Sequence, residues 1–164
     1  PPVRRPLWPW LLAAAALLLT VALAFHRPRR GPEGHDGEQL GAMWAAAFEH
    51  ADTNGFGTGA CCDGGLDLAG QCEQRFAVKL FGGRGMTVHG CYCGLSTGGC
   101  VAALAQSGDE RIAVFVLPRD QDPGPCLPAG CPLHLARREL GPLVLYAVSR
   151  APEPMALAQF ALGP

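Results

Sequence analysis

The sequence lacks several signatures that would name a chemistry outright. It holds no Cys-x-x-Cys-His, which excludes covalent haem attachment through that motif, and no thioredoxin-like Cys-x-x-Cys. The turn Gly82-Gly83-Arg84-Gly85 has neither the strand–helix context nor the lysine of a phosphate loop. Internal repeats and heptads are missing too, so solenoids and coiled coils are set aside. Positive charge is scarce after residue 30. Of 13 Lys+Arg, five precede residue 31, while all 14 Asp+Glu follow it, which leaves that remainder at −6. An acidic domain without a basic face is a poor match for phosphates, and no nucleic acid is expected as a partner.

What the chain does hold is an apolar run, Leu7 to Phe25, without a charge. As a helix it would extend about 28 Å, close to a bilayer's hydrocarbon thickness. Trp8 and Trp10 fall at one end, where indole rings favour the membrane–water boundary. A cleaved signal peptide is the alternative, with Arg4 and Arg5 as its basic start and Ala22-Leu23-Ala24 as its cleavage site. The anchor is preferred, and the four alanines Ala13 to Ala16 offer a small-residue surface for helix packing. The expected organisation is a transmembrane anchor (1–25), a linker (26–37) and an α+β domain (38–164). Eight cysteines place that domain outside the cytosol, since persistent disulfides belong there. The expected localisation is therefore a single-pass membrane protein with its C-terminal domain periplasmic.

Within the domain, Leu40, Met43, Trp44, Ala47, Phe48 and Ala51 recur at helical spacing and predict a helix over Glu38–Asp52 with one apolar face. Asp36 is its expected N-cap, and Trp44 and Phe48 are core anchors. Thr53 to Cys72 reads as a glycine-rich loop. Short β-rich segments follow at 75–81, 85–93, 100–106 and 111–118, divided by Gly82-Gly83, by residues 94–99 and by Ser107 to Glu110. Residues 121–132 form a loop, 142–149 a last strand and 154–162 a short helix. The fold class is α+β: one small antiparallel sheet with flanking helices.

Two stretches, "LFGGRGMTVHG…CVAALAQSGDERIAVFVLP" and "LGPLVLYAVSRAPEPMALAQFA", resemble the exterior sensor domain of bacterial transmembrane anti-sigma factors. The residues that carry the likeness are Gly82, Gly83, Arg84, Phe115, Val116, Pro118, Tyr146 and Ser149, and it covers about half the chain, residues 75–161. The family's cytoplasmic His-x3-Cys-x2-Cys zinc motif, which holds the sigma factor, has no counterpart in this sequence. What the resemblance implies is thus the exterior module alone.

The cysteines admit two readings. Cys126 and Cys131 flank the turn Leu-Pro-Ala-Gly, and Cys93 and Cys100 flank a hairpin turn, so each pair is placed for a disulfide. Cys61, Cys62, Cys72 and Cys91 would make two more, each bridge contributing about 2–4 kcal/mol. The alternative is a copper or zinc site, or a redox sensor, built from Met86, His89, Cys91 and Cys93, since soft sulfur and imidazole select copper. Against it, Cys91 and Cys93 would stand about 7 Å apart on one strand face, wide for one ion. Disulfides are the preferred reading, and no cofactor is expected.

Catalytic groupings are thin. His89 and Cys91 share a strand face without a default hydrogen bond, His134 has no acidic partner nearby, and Asp109, Glu110, Asp120 and Asp122 fall in turns and read as solvated. No enzyme is expected. The expected function is a membrane-anchored periplasmic accessory or regulatory subunit, its helix in the lipid bilayer and its domain docked on a larger integral membrane protein complex.

Overall fold

The computed structural model describes residues 37–54, 67–91 and 99–164. Two strands set the architecture. β4 (Glu110–Pro118) and β6 (Leu143–Ser149) are apolar along nearly their whole length rather than at alternate positions. Successive side chains point to opposite faces, so such strands must be covered on both sides. They lie at the centre of a five-stranded antiparallel sheet with order β2–β3–β4–β6–β5, completed by β2 (Met86–Cys91), β3 (Val101–Ser107) and β5 (His134–Leu140). The fold is α+β, as expected.

Tight turns fix the register. β3 and β4 pair from Ser107↔Glu110 onward, and Gly108 supplies the positive φ (59°) that their two-residue turn requires. β5 and β6 close in the same way at Leu140↔Leu143, around Gly141 (φ 59°). The connection from β4 to β5 skips one position, so β5 lies outside β6, at the sheet edge.

One face carries Val101, Ala103, Ile112, Val114, Val116, Leu145 and Ala147. It is covered by α2 (Leu68–Phe76) through Leu68 and Cys72, and by α3 (Met155–Ala158) with Phe160. A two-stranded ribbon of β1 (Leu80–Phe81) and β7 (Ala161–Leu162) adds Leu80 to this layer. The opposite face carries Leu104, Ala113, Phe115, Val144, Tyr146 and Val148, and α1 (Gly37–Asn54) covers it with Trp44, Ala45, Phe48 and Ala51. Trp44 stacks on Phe115, ring centroids 4.2 Å apart and planes 6° from parallel. Such a pair adds about 0.5–1.5 kcal/mol beyond its area burial.

Several expectations are corrected. Residues 68–76 form a helix, not a loop running into a strand: the Asp67 carboxylate accepts from Gly70 N at 2.8 Å as its N-cap, and Ala77 ends it in the left-handed region. Of the strand expected at 75–81, only Leu80–Phe81 is extended, and β5 is an addition. The closing helix is one turn, Met155–Ala158, before the chain straightens into β7.

The localisation is corrected as well. Among the described residues no helix is long and apolar enough to cross a membrane. α1, with 18 residues, has the length of a span, but it carries Glu38, Glu49, His50 and Asp52 and lays its apolar face on the sheet. The run 7–25 with Trp8 and Trp10, on which single-pass anchoring and a periplasmic placement rested, lies outside the described residues, as do Asp36 and all of the linker but Gly37, which begins α1.

α1 meets the 122–127 loop at close range. Cys126 N donates to Gly37 O at 3.1 Å, and one turn on, a Cβ at Gly41 would collide with the Cys126 carbonyl oxygen. Alanine at 41 brings about 1 kcal/mol of helix propensity. Overpacking outweighs it, and Gly41→Ala is expected to lower stability by a net ~1–2 kcal/mol in urea unfolding. A more stable variant would show that the loop does not rest on the helix.

Candidate functional site: a two-arginine cleft

The last turn of α1 brings Asp52 to the place where β4 begins and β6 ends. Arg111 Nη1 donates to Asp52 Oδ1 at 3.0 Å. Arg150 donates to Oδ2 through both Nε (3.1 Å) and Nη2 (2.9 Å). The Asp52 side chain is only 19% exposed, whereas those of Arg111 and Arg150 are 44% and 63% exposed. One sheltered carboxylate thus holds two guanidiniums at the surface. Hydrogen bonding from Arg150, followed by that from Arg111, keeps the Asp52 carboxyl below its usual range although burial acts against it. Around this triad opens a cleft of about 510 Å³, lined also by Phe48, Gln106 and Asp109. Glu110 borders it too, but its two oxygens accept from Met155 N (3.1 Å) and Ala156 N (2.7 Å) and so cap α3.

A second carboxylate organises the loop that seats α1. Asp122 Oδ1 accepts from Tyr146 Oη (2.7 Å) and Gly124 N (3.0 Å), and Oδ2 accepts from Arg137 Nη2 (3.0 Å). Arg137 also donates to Glu139 at 2.9 Å, and Glu139 pairs with Arg119. Burial raises the Asp122 carboxyl, yet the bonds from Tyr146, Gly124 and Arg137 hold it below its ordinary value. Burial and the bond to Asp122 push the Tyr146 hydroxyl up to about 12. Glu110 and Asp122, read as solvated in the sequence, are therefore engaged structural groups.

The expected cysteine and metal residues do not converge in this cleft. Cys72, Cys100, Cys126 and Cys131 are free thiols. The bridge expected between Cys126 and Cys131 is not formed. Cys126 is fixed against Gly37 with its side chain exposed, while Cys131, turned by its bond to Pro128 O, packs toward the apolar layer under α1. Cys72 and Cys100 are core residues, 0% and 2% exposed, in the layers on opposite faces of the sheet. Cys61, Cys62 and Cys93 lie outside the described residues, as does the side chain of Cys91.

Among the described residues no group of three His, Cys, Asp or Glu is placed to hold a metal. The strand that carries Met86 and His89 of the soft-metal set has a β-bulge: Val88 pairs with Ala105 and Gly90 with Leu104, so His89 is the extra residue. Met86 packs against the core beneath α2.

Sequence reading missed the triad itself. Asp52 is separated from Arg111 by 59 residues and from Arg150 by 98, so no local spacing advertises it. The available signal was weaker: an acid ending an amphipathic helix and arginines flanking two apolar strands.

Burial pushes the Cys72 and Cys100 thiols up to about 12. Only a thiolate reacts with an alkylating agent. At pH 8 in native buffer, iodoacetamide is expected to label Cys126 while Cys72 and Cys100 resist until denaturant is added, as peptide mass spectrometry would show. Labelling of Cys72 and Cys100 at the Cys126 rate would contradict their burial. No family model, no curated protein and no solved structure matches this chain.

Proposed function

We propose that the domain is a non-catalytic binding module of the accessory or regulatory kind, which docks a polypeptide partner within a larger complex at the two-arginine cleft. The observation that carries this reading is the Asp52 clamp, which presents Arg111 and Arg150 to solvent in a fixed arrangement. Ordering a guanidinium before its partner arrives lowers the entropy lost on binding, and arginine is enriched where proteins meet.

The titrating groups support recognition over catalysis. A general acid or base works best with a pKa near the operating pH. Here Asp52 and Asp122 are held below their ordinary range and Tyr146 lies at about 12, so each keeps one protonation state near neutrality. The resemblance to the anti-sigma-factor sensor domain points the same way. Its residues serve as scaffold: Phe115 lies under Trp44, Tyr146 bonds to Asp122, and Ser149 is buried.

Photo-crosslinking in the cells that make the protein tests this reading. A benzophenone side chain replacing Gln106, at the cleft, is expected to capture one defined protein, and the same probe at Arg84, in an exposed turn, is not. Adding Arg150→Ala is expected to abolish the adduct. Equal labelling from both positions, or an adduct indifferent to Arg150, would overturn it.

A further inference from the structure

Resting on that docking reading, we infer that the group received by the cleft is a carboxylate of the partner polypeptide. Arg150 spends Nε and Nη2 on a single oxygen of Asp52, at 3.1 and 2.9 Å. Its Nη1 bonds to no described residue, and its side chain is the most exposed of the triad. Because the guanidinium is planar, fixing one edge fixes the other, so Asp52 sets the direction of the remaining donors of this cleft-lining residue. Arg111 stands on the other oxygen of the same carboxylate, at 3.0 Å. Two cations share one anion, and the triad retains one positive charge. Paired N–H groups in a rigid fork match the two oxygens of a carboxylate.

The surroundings narrow the class. Asp109 and Glu110 also border the cleft, so its ionised side chains sum to a net negative charge. A phosphate, with nearly two charges at neutral pH, meets more repulsion there than a singly charged carboxylate. A peptide carries its own remedy, because the amide N–H beside its carboxylate is a donor for Asp109, which lies exposed in the β3–β4 turn. The volume of about 510 Å³ suits a short peptide segment rather than a lone ion.

Two peptide carboxylates have this chemistry, a chain end and an acidic side chain. The probes are N-acetyl-Ala-Ala with a free carboxyl, N-acetyl-Glu with its α-carboxyl amidated, and N-acetyl-Ala-Ala amide. Each is titrated into the full-length protein while the arginine Nε–H and backbone amide signals are followed by NMR. A saturable shift of Arg150 with either acidic probe, and none with the amide, is expected. The probe with the stronger effect identifies the source. Arg150→Gln, at an exposed position that leaves the core amides unmoved, is expected to weaken that binding about tenfold or more, and Arg150→Lys to restore it only in part. The inference is overturned if the neutral amide binds equally well, or if neither acid moves Arg150 at roughly 10 mM, above the ~1 mM range expected of so small a contact. A partner still captured at position 106 alongside that result would leave docking standing and remove only the carboxylate.

Discussion

Asp52 is the point at which three distant parts of the chain are tied, and the cleft depends on it. It arrives there because of burial rather than charge. β4 and β6 are apolar on both faces, so an uncovered face would leave Phe115, Val144 and Val148 in water. Each such side chain is worth about 1.5–3 kcal/mol when buried, well above the 0–1 kcal/mol of an exposed ion pair. The stack of Trp44 on Phe115 and the close approach of Gly41 to the 126 carbonyl set the helix down in one place. Asp52, two turns beyond Trp44, is then delivered to Arg111 and Arg150. Packing chooses the position, and the ion pairs orient the side chains found there.

The same division of labour recurs at Asp122. Its bonds to Tyr146, Gly124 and Arg137 shape the loop that carries Cys126 onto the first turn of α1. One carboxylate therefore helps to seat the helix at its start and another holds its end. Both are sheltered, both are held in the charged form by donors, and neither is placed to exchange protons near neutrality.

The elements legible in the sequence were those whose pattern reflects burial directly. In α1, Trp44, Phe48 and Ala51 lie on one face at helical intervals, and the continuous apolar runs of β4 and β6 mark strands covered on both sides. α2 escaped because Cys72 was weighed as a disulfide partner. Counted as a small apolar residue, it completes the series Leu68, Cys72, Phe76 behind the Asp67 cap. β5 escaped because His134-Leu-Ala-Arg-Arg-Glu-Leu140 is rich in charge and in helix formers. Edge strands tolerate and even favour charge, and pairing with β6 overrides local propensity. The bulge at His89 is a register event that no two-residue alternation reveals. The cleft was hidden for a simpler reason, that Asp52, Arg111 and Arg150 meet only after the sheet and α1 have packed.

The central claim is that the sheltered carboxylate of Asp52 fixes the guanidiniums it accepts from, so the most direct measurement is the NMR of the Arg150 Nε–H group, which donates to that carboxylate, in Asp52→Asn. The account predicts that this signal loses its protection from solvent exchange and moves toward the position of free arginine, while the core amides of β4 and β6 keep theirs. An Arg150 signal unchanged by the loss of the carboxylate would contradict it.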